Sequence, residues 1–150
     1  LNRNHLLVGS IPPHNYCLQI LKRRRHQEAI QEAVLEGHPR FFLGTDSAPH
    51  PRADKETACG CAGCFSAPAA LPFYAGFFDQ HDVLERLESF AAFNGADFYG
   101  LPRNRDTITL KRRDWSVPAT FGAEEEPAVP WRAGETVHWR IAAGNAVSGG

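Results

Sequence analysis

The sequence predicts an α/β fold, and three observations carry that prediction. A helical period of apolar residues over 21–37 leads directly into a short apolar run, 40–46, bounded by turn residues. Helix followed by buried strand is the repeating unit of α/β proteins. Further on, 106–111 and 135–141 alternate apolar and polar side chains, as half-buried strands do.

The elements follow in chain order. Residues 1–20 contain Leu6-Leu7-Val8, long enough for a brief strand, but Gly9-Ser10 and Pro12-Pro13 favour an ordered loop. In 21–37, Ala29, Ile30, Ala33 and Val34 make one apolar face, and Gly37 and Pro39 supply the stop. The basic run Lys22-Arg23-Arg24-Arg25 lacks interleaved aromatic residues and reads as a solvated helix face rather than a nucleic-acid patch. Residues 40–46 are the expected strand, and 47–66 a long loop; loops of that length in a compact domain usually carry function. Residues 67–78 are rich in Ala, Leu and aromatics and read as a helix, with Pro68 suited to its first turn. A second helix is expected from Asp82, with Glu85 completing a capping box, Val83, Leu84, Leu87, Phe90 and Ala91 buried, and Asn94-Gly95 as its end. The stretch Glu124-Glu125-Glu126 and its neighbouring prolines form a surface loop between the last two strands. Residues 142–150 are small and polar and are expected to be a disordered tail.

Composition narrows the classes of function. With 150 residues, 43% hydrophobic, there is enough chain for a real core. A net charge of -1 provides no general attraction to nucleic acid or to an anionic membrane. No apolar run approaches the roughly 20 residues that span a bilayer, and no secretory leader is seen, so a cytoplasmic protein with reduced cysteines is expected. The chain contains no Met and opens on Leu1-Asn2-Arg3-Asn4, which suggests a piece of something longer.

Chemistry concentrates in one stretch. Phe41-Phe42-Leu43-Gly44-Thr45-Asp46-Ser47-Ala48-Pro49-His50 places a carboxylate at the end of the expected strand and an imidazole four residues later. In parallel α/β folds, ligands and catalytic groups gather at the carboxyl ends of strands. An Asp there can hold a metal or move a proton, although Asp after a strand is also a common turn former or helix N-cap. The next segment, Lys55-Glu56-Thr57-Ala58-Cys59-Gly60-Cys61-Ala62-Gly63-Cys64, carries three thiols in six residues. Such a cluster can bind zinc, but the one-residue gap between Cys59 and Cys61 is tight and no second Cys or His cluster follows at finger-like spacing. A small zinc-stabilised binding module built on Cys59, Cys61 and Cys64 stands as the alternative reading.

Together the two segments resemble the single-chain bacterial dihydroorotases of the amidohydrolase superfamily. The resemblance runs from Leu1 to about Ile141 and corresponds to the C-terminal two-fifths of such an enzyme. It implies the last strand and flanking helices of a (β/α)8 barrel, followed by a small C-terminal β extension. The activity implied is reversible, zinc-dependent hydrolysis of (S)-dihydroorotate to N-carbamoyl-L-aspartate, the third step of pyrimidine synthesis. A homodimer is implied as well. By the same resemblance Asp46 is the catalytic carboxylate, binding one of two zincs and carrying a proton from the attacking hydroxide to the leaving nitrogen. His50 matches the residue that binds the substrate carboxylate. Leu18 and Ala62 match positions whose backbone groups contact substrate, and Gly60, Ala62 and Gly63 let that loop close on it. The family's other zinc ligands lie upstream, and His5, His14, His26 and His38 show none of the family's His-x-His spacing. The segment alone is therefore expected to be inactive.

Overall fold

The computed structural model describes residues 2–7, 9, 12–18 and 22–142. From residue 143 on, the expected tail lies outside the described residues. The elements are α1 (Asn4–Leu7), α2 (Arg24–Leu35), α3 (Arg52–Lys55), α4 (Ala70–Gln80), α5 (Asn94–Tyr99), β1 (Leu110–Ser116) and β2 (Thr136–Ile141). Short 3-10 turns stand at Pro13–Asn15, Ala67–Ala69 and Leu84–Arg86, and a π-helical turn at Ser89–Phe93. The chain divides into two compact units, and the first division falls within α2, between Glu32 and Ala33. Among the described residues no helix is long and apolar enough to cross a membrane.

The first unit comprises 1–32, 44–69 and 117–135. It is mostly irregular, and backbone hydrogen bonds between distant loops hold it together. The Arg52 N–H donates to the Pro127 carbonyl at 2.8 Å, and the Trp131 N–H to the Phe65 carbonyl at 2.8 Å. Phe121 and Ala128 exchange two 2.8 Å bonds across the loop of 122–127. Val117 and Pro130 are fully buried, and the rings of Phe65 and Phe121 meet edge to face. The Lys22–Arg25 run is exposed, and Arg24 pairs with Glu28 one turn on, as a solvated helix face would.

The second unit comprises 33–43, 70–116 and the chain from 136 on. Its core is Ala75, Phe78, Leu87, Phe90 and Trp139, with Phe41, Leu43, Val34 and Leu71 packed against it. Helix α4 carries Ala75 and Phe78 three residues apart, so both face the same way. The strands β1 and β2 are antiparallel, with a bulge between Arg112 and Trp115. Val137 and Trp139 alternate inward along β2, as expected, but Ile141, expected on the same face, is exposed. The Trp139 indole N–H donates to the Asp79 carboxylate of α4 at 3.2 Å, which fixes the sheet on the helix.

Several sequence expectations need correction. Residues 40–46 form no regular strand. Apolar pattern reports burial, and burial occurs: Phe41 and Leu43 join the core, and the Leu43 N–H reaches the Phe90 carbonyl at 3.0 Å. A parallel strand also needs neighbouring strands to pair with, and the described residues place none beside this run. Helix α2 has no fully buried residue: Val34 packs against the core in part, but Ile30 on the same expected face is 55% exposed. The capping box at Asp82 does not form; Asp82 has φ 56°, and the following turn has no side-chain cap. Asn94-Gly95 does not end the next helix, which runs on to Tyr99 and stops at Gly100 in the left-handed region. Gly95 serves packing instead: a Cβ there would sit 3.2 Å from the Phe42 ring. Among the described residues the first strand begins at Leu110 rather than 106, and Ile108 is exposed.

Candidate active site

The site residues belong to the first unit, and the sequence brings them together through side chains that cap backbone groups. The Ser47 hydroxyl accepts from the N–H groups of Ser66 and Ala67 at 3.1 and 3.0 Å. The Ser66 hydroxyl donates back to the Thr45 carbonyl at 3.0 Å. The Ala48 N–H donates to the Cys64 carbonyl at 3.0 Å. Four hydrogen bonds thus lace 45–48 to 64–67. Asp46 sits within this lacing, exposed, with φ 44°. Left-handed backbone is uncommon outside Gly, and Asp is among the residues that tolerate it. The strand-end carboxylate expected from sequence is therefore a carboxylate on a tightly held turn.

His50 and Ala62 meet directly. The His50 Nε2 lies 3.2 Å from the Ala62 carbonyl oxygen. A carbonyl can only accept, so Nε2 carries the proton. Nδ1 is then an acceptor in the neutral ring and a donor in the imidazolium, and only the imidazolium offers a second N–H to an anion. Gly63 makes this approach possible: a Cβ there would fall 2.8 Å from the Ala48 carbonyl oxygen and 2.9 Å from the His50 ring. Gly60 contributes a different property, a φ of +71°. Leu18 is 85% exposed and lies two residues beyond Tyr16, whose carbonyl accepts from the Gly63 N–H at 2.9 Å.

A polar cluster borders the loop. His14 and Arg52 both approach Oε1 of Glu56, at 3.1 and 2.9 Å. The hydrogen bond to His14, and then that to Arg52, holds the Glu56 carboxyl below the usual carboxylate range. An open cavity of about 690 Å³ is lined by Tyr16, Lys55, Glu56 and Cys59, among others.

The thiols do not form a metal cage. Among the described residues no three His, Cys, Asp or Glu side chains converge to hold a metal ion. None of the four cysteines is in a disulfide. The loop curls instead around the Lys55 ammonium, which is bonded to the Cys61 and Gly63 carbonyls. With no converging ligand group among the described residues, the zinc-module alternative lacks support. Burial, followed by the adjacent Cys17 thiol, pushes Cys64 up to about 11, the opposite of a metal-ready thiolate. The same test applies to a catalytic zinc. Three or four protein donors are required, and the described residues do not supply them around Asp46. Sequence reasoning overlooked Lys55, since a lysine between Asp54 and Glu56 looks like any solvated charge.

No family-wide sequence profile matches the chain. A curated dihydroorotase of Alcanivorax borkumensis is 64% identical over 141 residues, covering 94% of this chain and 41% of that protein. The solved dihydroorotase of Campylobacter jejuni superposes with a TM-score of 0.84 at 32% identity, over 95% of this chain and 41% of that one. A Saccharomyces cerevisiae dihydroorotase, solved in complex with 5-fluoroorotic acid, gives 0.83 at 29% identity, over 95% of this chain and 42% of that one. These likenesses support an α/β fold. The chain thus spans about two-fifths of the length of the relatives it matches. Its sequence and its backbone agree: over nearly its whole length the chain is similar to part of a dihydroorotase.

Proposed function

We propose that this chain is the C-terminal part, residues 1–141, of a dihydroorotase that interconverts (S)-dihydroorotate and N-carbamoyl-L-aspartate in pyrimidine synthesis. The observation that carries the reading is the lacing of 45–48 to 64–67, which assembles both halves of the family motif around Asp46, His50 and Ala62. In this reading residues 40–46 take the place of the last strand of a (β/α)8 barrel. β1 and β2 are the C-terminal extension.

Hydrolysis of dihydroorotate forms a bond from a water-derived oxygen to the ring amide carbon and breaks the carbon–nitrogen bond. The proton released by the oxygen nucleophile must reach the departing nitrogen. Asp46 is the group for that transfer, because a carboxylate on a rigid turn can accept the proton at one position and deliver it nearby. The His50 ring, protonated or neutral, donates an N–H to the substrate carboxylate. The yeast relative's 5-fluoroorotic acid carries a carboxylate of the same kind. The Ala62 and Leu18 backbone groups complete the contact. Dihydroorotases are metal-dependent, and Asp46 would be the one zinc ligand of this segment. The reading includes a cytoplasmic homodimer acting on a small molecule, with no nucleic acid and no membrane.

The test is dihydroorotate hydrolysis by the complete chain that carries this segment, wild type against Asp46→Asn. Turnover by the wild type, with a loss of about a thousandfold or more in kcat for the variant, is expected for a proton-transfer group. A zinc-loaded wild type that leaves dihydroorotate untouched overturns the reading.

A further inference from the structure

Lys55 is 3% exposed, although every other residue from 52 to 58 is exposed. Its Nζ donates to the carbonyls of Tyr16, Cys61 and Gly63 at 3.0, 2.6 and 2.9 Å. An ammonium has three protons, and all three are used. No carboxylate pairs with it among the described residues; the face of Tyr16 lies 5.6 Å away. Burying an ammonium without a counter-ion is costly unless every donor is met. Burial accordingly draws Lys55 below its ordinary range, while the Cys64, Cys61 and Cys17 sulfurs pull the other way.

The positions of the three carbonyls suggest what this arrangement accomplishes. Cys61 and Gly63 flank Ala62, and Tyr16 lies two residues before Leu18. With the carbonyls of 61 and 63 turned to the ammonium, the one between them is turned to His50. The Tyr16 carbonyl also accepts from the Gly63 N–H at 2.9 Å, so one oxygen joins both loops. A single cation therefore ties together the chain around every residue proposed to grip the substrate.

We propose that Lys55 is a positioning residue: its ammonium clamps the 59–64 loop to the Tyr16–Leu18 stretch, presenting Ala62, Leu18 and the His50 ring to the substrate. The inference rests on the dihydroorotase reading. The test is made on the complete chain that carries this segment, with Lys55→Met, which keeps the aliphatic stem and removes the three donors. Two quantities are measured: KM and kcat for dihydroorotate, and the rate at which iodoacetamide alkylates Cys61, read by peptide mass spectrometry. The expected result is KM raised tenfold or more with kcat within threefold, and Cys61 alkylated at least tenfold faster. Lys55→Gln, which offers two N–H donors, falls between; it replaces the Met variant if that one does not fold. Faster alkylation with unchanged KM overturns the positioning role, and unchanged alkylation overturns the clamp. If the wild type does not hydrolyse dihydroorotate, the dihydroorotase reading falls with the ligand half of this one, and the Cys61 rates still decide whether the clamp exists.

Discussion

In the unit built on α4, Phe78, Phe90, Leu87 and Trp139 interlock, and the polar contacts, such as Trp139 to Asp79, decorate an apolar core. In the unit that carries Asp46, the order is reversed. Hydroxyls, amide groups and one ammonium hold loops in place, and the apolar pieces, Val117, Pro130 and the Phe65–Phe121 pair, are few. Apolar burial is strong but non-directional, so it fixes a fold without fixing an angle. Hydrogen bonds contribute about 1 kcal/mol each yet specify direction. Groups that must meet a substrate at defined angles are set by the second kind of interaction.

The contrast can be broken first at its strongest point. Phe78→Ala removes a fully buried ring and is expected to destabilise its unit by about 3–5 kcal/mol in urea unfolding. A cost under about 1 kcal/mol would mean that the aromatic core is not what holds it. Gly63→Ala comes next, at about 3 kcal/mol, because the new methyl meets the Ala48 carbonyl oxygen, which is backbone and cannot rotate away. The same change at Gly95 meets the edge of the Phe42 ring at 3.2 Å and is expected to cost less than about 1 kcal/mol, since a ring can shift. Equal costs at the two glycines would erase the distinction between rigid lacing and adaptable packing.

A pH series sharpens it further. The fold raises Cys64 from 9.0 to about 11, so the folded chain keeps a proton that the unfolded chain releases. The contribution is full below pH 9 and is lost as pH rises toward 11, by about 2 kcal/mol. Stability should decline across that window in the wild type, and Cys64→Ser should remove this part of the slope. The smallest effect belongs to the solvated face: Arg24→Ala breaks an exposed pair with Glu28 and should change stability by less than about 0.5 kcal/mol.

The two units also differ in how legible they are from sequence. Val83, Leu84, Leu87, Phe90 and Ala91 recur at helical spacing and do pack on the core, since periodicity records which face is buried. Gly95 misled because a glycine within a helix and one after it look alike; only the Phe42 ring distinguishes them. Residues 40–46 have a strand's composition, but a strand is defined by its neighbours, which a local pattern does not contain. In the site, Asp46, His50 and Ala62 were singled out by their motif, and their roles are proposals. Lys55 stands in the same motif but was given no role, because that role depends on where three carbonyl oxygens point, and backbone oxygens leave no trace in residue identity.

The left-handed turn at Asp46 has a consequence for how this position is probed and how it can vary. Alanine, the habitual replacement, lacks the short polar group that eases such a backbone, so it would disturb the turn together with the chemistry. Asparagine and glycine both accept φ near 44°, and glycine relieves what cost there is. A glycine variant that is inactive yet as stable as the wild type or more so would mark residue 46 as a place where catalysis has been retained against the preference of the chain.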